Sequence, residues 1–167
     1  LQGRTTTLAD YRGKVVLLHA FQMLCPGCVT HGIPQAQRVA ALFAGAPLAV
    51  VGLHAVFEHH AVTGVEALRA FVHEYRITHP VGVDQPGPAG DPVPCTMRAY
   101  RMQGTPTVVL IDAEGRIRRQ SFGPVDDLVL GADIGALLVE ASHAGSAPVS
   151  GAVAEGGCDT AGCSMPD

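Results

Sequence analysis

The sequence predicts an α/β sandwich built on a mixed central sheet, and three observations carry that reading. Near-continuous apolar runs alternate with amphipathic stretches through the first half of the chain. Cys25-Pro26-Gly27-Cys28 follows the first apolar run directly, where an amphipathic pattern begins. The second half closes with two strand-like runs around a Gly-containing turn, then one more helical pattern. Alternating strand–helix units, a hairpin and a closing helix form layers around one sheet, and right-handed crossovers make the first strands parallel.

The elements follow in order. Thr5 to Arg12 are polar, with Leu8 and Tyr11 as inward anchors, and Gly13-Lys14 is a turn. Val15 to Phe21 is unbroken in its hydrophobicity, as expected of a central strand covered on both faces. A helix starts near Cys25 or Pro26 and runs to Phe43, with Pro34 expected to kink it. Leu48 to Val56 is a second buried strand, His59 to Thr63 a loop, and Val65 to Arg76 a helix whose apolar face is Leu68, Phe71, Val72 and Tyr75. Pro80 to Asp84 is a short strand, Gln85 to Pro94 a Pro/Gly-rich excursion, and Cys95 to Met102 a short helix. Thr107 to Asp112 and Ile117 to Phe122 read as a hairpin, and Asp126 to Ser142 as the last helix.

Composition bounds the function. The 167 residues suffice for one core that needs no disulfide staples. A formal net charge of -4 offers no basic field for nucleic acid, and no apolar run is long enough to span a membrane. The reading is one domain over 1–142 and a flexible Ala/Gly/Ser-rich tail over 143–167 that ends in Cys158-x4-Cys163. The chain opens on Leu1-Gln2-Gly3-Arg4, neither an initiator Met nor a signal peptide. The compartment stays open, with a bacterial cytoplasm favoured over the periplasm. Five cysteines exclude an all-paired framework, and a C-x-x-C at a strand-to-helix junction points to redox use.

The combination of Leu8-Ala9-Asp10-Tyr11-Arg12-Gly13-Lys14, the C-P-G-C, Pro80-Val81-Gly82-Val83-Asp84 and Gly104-Thr105-Pro106-Thr107-Val108-Val109-Leu110-Ile111-Asp112 resembles the thioredoxin superfamily, and within it the TlpA/ResA-like redoxins. The likeness covers roughly residues 5–142. It implies a three-layer thioredoxin-like sandwich with helices on both faces of the sheet. It also implies a cis Thr105–Pro106 bond facing the dithiol, with Pro26, Gly27, Thr105 and Pro106 meeting an extended substrate. Three departures stand out: Leu24 replaces the usual aromatic, Pro34 lies one residue further from Cys25 than the usual helix proline, and the tail cysteines fall outside the match. The displaced proline predicts an extra-residue bulge in the first helix.

The chemistry expected is thiol–disulfide exchange without a bound cofactor. Cys25 is the nucleophile, its thiolate favoured at a helix N-terminus, and Cys28 is the resolving thiol. By resemblance His19 occupies the position of a buried acid beneath the dithiol, as a proton relay or as an ordinary core histidine, and imidazole titrates in the useful range. Glu58 falls near where ResA-like proteins bury a glutamate, although a solvated side chain beside His59 and His60 is the favoured reading. Cys95 is a third redox thiol or a bystander, and Cys158 and Cys163 are a tail dithiol whose linker spans roughly 20 Å as random coil. That pair could shuttle electrons or hold a soft metal ion; no other metal site is expected, since the adjacent His59 and His60 diverge on an exposed loop. Partners are protein or small-molecule thiols and disulfides, together with an upstream reductase or oxidant. Two rivals exist. A peroxiredoxin-like peroxidase would need a Thr where Gln22 stands, and a Sco-like copper carrier would use a wider C-x3-C.

Overall fold

The computed structural model describes residues 6–89 and 91–145. Five strands form one sheet in the order β3-β2-β1-β4-β5: β1 (Val15–Phe21), β2 (Leu48–His54), β3 (Val81–Val83), β4 (Thr107–Ile111) and β5 (Ile117–Phe122). β1 pairs in parallel with β2, and β2 with β3, while β4 runs antiparallel to both β1 and β5. β1 and β4 are central, and nearly every residue in them is buried, which is why neither alternates in polarity. β5 is an edge whose Arg118 and Arg119 pair with Glu140 and Asp133 of the last helix, and such charges discourage edge-to-edge pairing.

Helices α1 (Ile33–Leu42), α2 (Val65–Glu74), α3 (Cys95–Ala99) and α4 (Asp127–Gly145) complete the layers. One face of the sheet buries Val15, Leu17 and Val50 against Val39 of α1 and Leu130, Ile134 and Leu137 of α4. The opposite face buries Val16, Ala20, Val109 and Ile111 against Met97 of α3 and Met102. Leu8 and Tyr11, on a 3-10 turn (Leu8–Tyr11), pack half-buried against that second face. A third cluster, at the end where the parallel strands finish, joins Phe21, Met23, Cys28, Ile33, Leu68 and Ile77. It forms the floor of the site.

The expected bulge is present. Cys28–Gly32 is a π segment in which the Ile33 N–H bonds back to the Cys28 carbonyl, and Pro34 sits in the first turn of α1. A proline has no N–H to offer the preceding turn, and the widened turn absorbs that loss without a break.

Several boundaries differ from the sequence reading, four of them by two residues or more. β2 stops at His54, because Ala55 donates to Phe21 O and the chain then leaves the sheet. α2 stops at Glu74, and Tyr75 is 43% exposed, stacking its ring on Phe71 instead of entering the core. α3 stops at Ala99, because Arg101 takes a left-handed φ of 51° and turns Met102 into the core. The last helix reaches Gly145, inside the stretch read as linker.

Candidate active site

The C-terminal ends of parallel strands are where α/β folds place ligands, and β1 delivers the C-P-G-C there. Gln22 continues from β1, and its buried side chain accepts the Phe57 and Glu58 N–H groups, both at 3.3 Å, which ties the loop after β2 to the site. The Cys25 N–H donates to Gln22 O at 3.3 Å, and Pro26-Gly27 open the helical turn.

Cys25 and Cys28 lie at disulfide distance, with Cα atoms 5.2 Å apart. Their surroundings differ. Cys25 is half-buried, beside the exposed Leu24, whereas Cys28 has no exposure at all. The Cys28 N–H points at Cys25 Sγ, 3.2 Å away, and supplies the helix-terminal donor that favours a thiolate there. On the other side Cys25 Sγ lies 3.4 Å from Thr105 O.

The Thr105–Pro106 bond is cis. Its loop closes directly over the helical turn. A Cβ placed on Gly27 would stand 3.3 Å from Pro106 Cδ, and one on Gly32 would stand 3.1 Å from Pro106 Cβ and 2.5 Å from His19 Nε2. Gly32 has an ordinary helical φ of -61°, so glycine is required there by close approach and not by backbone conformation.

His19 lies beneath that turn, fully buried, with Phe21 stacked on it at 5.5 Å and neither ring nitrogen hydrogen-bonded. Burial lowers its pKa from 6.5 to about 3, and the nearby His79 pushes the same way. This corrects the expectation that the imidazole titrates in the useful range. In the disulfide form a proton there at neutral pH would cost roughly 5 kcal/mol, so His19 is neutral in that form. The sequence shows the histidine but not its depth; the depth comes from Gly32 allowing the helical turn to settle onto the ring.

The remaining candidates separate from the dithiol. Glu58 is exposed, so the buried carboxylate beside the cysteines does not form; its backbone is held by Gln22 and its side chain points into solvent. Cys95 is a free, exposed thiol whose S–H donates to Pro86 O at 3.2 Å. The helix-terminal amides that would favour its thiolate are taken, because the buried Asp84 accepts from Thr96 and Met97 at 2.9 and 3.0 Å. The Asp84 contact is one the sequence does not show, because Asp84 precedes α3 by the whole Pro/Gly-rich excursion and meets the helix start only in the fold. His59 and His60 are exposed, and among the described residues no group of three His, Cys, Asp or Glu side chains is arranged to hold a metal ion. Cys158 and Cys163, with the relay or soft-metal role read for them, lie outside the described residues.

One cleft of about 360 Å³ opens between the start of α1 and the loop before α4, behind Pro106, and neither Cys25 nor Cys28 lines it. Gly32, Pro106 and Val108 form its floor, Thr30 and His31 one wall, and Gly123 to Asp127 the other. Gln35 spans its base, donating to Val125 O and Asp127 Oδ1, both at 2.7 Å.

The AhpC/TSA family model matches residues 1–120. The chain belongs to that family. It is a redoxin, an oxidoreductase with the thioredoxin-like fold. A crystal structure of a thioredoxin-like superfamily protein is 56% identical, with a TM-score of 0.78 over 82% of this chain and 88% of the other. A thiol-disulfide isomerase from Corynebacterium glutamicum is 50% identical at the same TM-score and coverage. A putative thiol:disulfide interchange protein DsbE from Chlorobium tepidum is 25% identical, with a TM-score of 0.66 over 80% of this chain and 86% of the other. No protein with a curated description matches the chain. Among the described residues no helix is long and apolar enough to cross a membrane.

Proposed function

We propose that this redoxin exchanges disulfides with protein or small-molecule thiols through Cys25 and Cys28, with Cys25 the sulfur that meets the substrate. The carrying observation is the contrast in exposure across one C-x-x-C: Cys25 is half-open beneath Thr105 O, and Cys28 is sealed. In the reducing direction, Cys25 thiolate attacks a substrate disulfide and releases one substrate thiolate. Cys28 thiolate then attacks Cys25 Sγ, forms the protein disulfide and releases the second. Two electrons pass from the dithiol to the substrate, and each departing thiolate takes a proton. The oxidising direction is the same path reversed.

His19 serves this cycle as an uncharged floor. A carboxylate there would place a like charge beneath the thiolates and raise their pKa values, whereas a neutral imidazole does not. The cycle also leaves the fold intact. The disulfide closes so short a loop that its entropic contribution is about 2 kcal/mol, comparable to burying one large core side chain. Three core clusters survive that loss. Against a peroxidase stands Gln22: its side-chain oxygen is engaged by the loop after β2, not by the sulfur.

The test is a trapping experiment. Cys28→Ser incubated with a disulfide-bonded peptide should accumulate a mixed disulfide at Cys25, seen by mass spectrometry, and Cys25→Ser should give none. Adducts at Cys28 alone, or peroxide consumption faster than disulfide exchange, would overturn the reading.

A further inference from the structure

The outer face of α4 is apolar where a surface helix is normally polar. Leu130, Ile134 and Leu137 turn inward and pack on the sheet, as the helical period requires. The opposite side carries Leu128, Val129, Ala132, Ala136 and Val139, all exposed, Leu128 by 84% and Val139 by 55%. The carboxylates of α4 do not interrupt this stripe. Asp127 pairs with Arg38 of α1 at one end, and Asp133 and Glu140 turn sideways to Arg119 and Arg118 of β5. The apolar surface continues onto α1, which lies on the same face of the sheet and leaves Leu42 79% exposed.

The pattern of the stripe selects what covers it. Along the helix it reads large, small, small, large: Leu128, Ala132, Ala136, Val139. Laid antiparallel on a second copy about the level of Ile134, it sets Leu128 opposite Val139 and Ala132 opposite Ala136. Gly135 beside them has open space where a Cβ would stand, which permits close approach of two backbones. Such reciprocal pairing is what a twofold interface requires. Two chains of formal net charge -4 repel least where their surfaces carry no charge, as here. A lipid surface fits less well, since α4 contains no Lys or Arg to meet anionic headgroups. The extent is also sufficient. Its 19 residues span about 28 Å, and two adjacent helices are about 20 Å wide. A corrugated layer of that footprint is on the order of the ~800 Å² that each partner buries in a stable complex.

We propose that the chain forms a twofold homodimer through the outer faces of α4 and the adjoining end of α1. The segment leading into α4, Gly123 to Asp127, lies against Pro106. Antiparallel α4 helices therefore carry the two C-P-G-C turns to opposite ends of the dimer, each open to solvent. Dimerisation and disulfide exchange are then independent of one another, and either stands without the other.

The experiment is sedimentation equilibrium of the full chain in excess reductant, so that no disulfide joins two molecules. Wild type should pass from monomer to dimer with a Kd in the micromolar range, as expected of an interface near the lower end of the stable class. Ala132→Glu places an unpaired carboxylate on each side of the twofold axis and should weaken the dimer at least about a hundredfold. Val62→Glu, which charges an equally exposed apolar residue on the loop before α2, should leave the dimer within about twofold of wild type. Circular dichroism of Ala132→Glu should match wild type, since its side chain meets only solvent in the monomer. A wild type that stays monomeric at every concentration up to about 500 μM would overturn the proposal, whether the C-terminal residues or another protein cover the face. A dimer that Ala132→Glu leaves intact, or that Val62→Glu dissolves equally, would overturn it too.

Discussion

Acidification should destabilise the oxidised protein well before its carboxylates titrate. His19 and His54 are both buried, and burial lowers their pKa values from 6.5 to about 3 and about 4. His79 is lowered in the same direction by burial. The unfolded chain binds these protons below about pH 6.5, and the folded chain refuses them until far lower pH. Protons bound in excess by the unfolded state make stability rise with pH, so it must fall as pH drops through this window. At about pH 5 each of His19 and His54 should cost about 2 kcal/mol relative to about pH 8, and about 4 kcal/mol together. About pH 5 lies above the ordinary carboxylate range, which isolates the histidines. Urea unfolding of the disulfide-intact protein at the two pH values reads the difference directly. His19→Leu and His54→Gln should each remove about half of the pH dependence, whatever they do to absolute stability. A change below about 1 kcal/mol in wild type, or an undiminished change in both variants, would refute the argument that these rings are buried neutral.

Three further outcomes follow from the packing. Gly32→Ala should cost about 1–3 kcal/mol in urea unfolding, because its Cβ would press on His19 and Pro106, while Gly131→Ala, with open space on α4, should gain about 0.5–1 kcal/mol. Asp84→Ala should destabilise by about 1–2 kcal/mol through loss of the Thr96 and Met97 caps, measured the same way. Cys95→Ser should leave the rate of disulfide exchange with a model thiol within about twofold of wild type, since this thiol lacks the helix-terminal donors that Cys25 has.

The fold was legible because its signals are local and repeated. Apolar runs marked β1 and β4 as central strands, and the C-P-G-C marked the strand end where the two sulfurs meet. Even the π segment showed in advance, through a proline one residue out of place. Boundaries were less legible where a single backbone torsion or a cross-strand bond ends an element, as at Arg101 and Ala55.

What the sequence by itself determined is the layer order and the placing of a C-x-x-C just past the end of β1, since both follow from periodicity and spacing along the chain. The tertiary structure alone decided two things: that His19 is too deep to titrate near neutrality in the disulfide form, and that Glu58 faces solvent. The physical reason is common to both. Burial and hydrogen-bond partnership belong to the space around a residue, and that space is assembled from residues far apart in the chain: His19 with Gly32, Pro106 and His79, or Glu58 with Gln22.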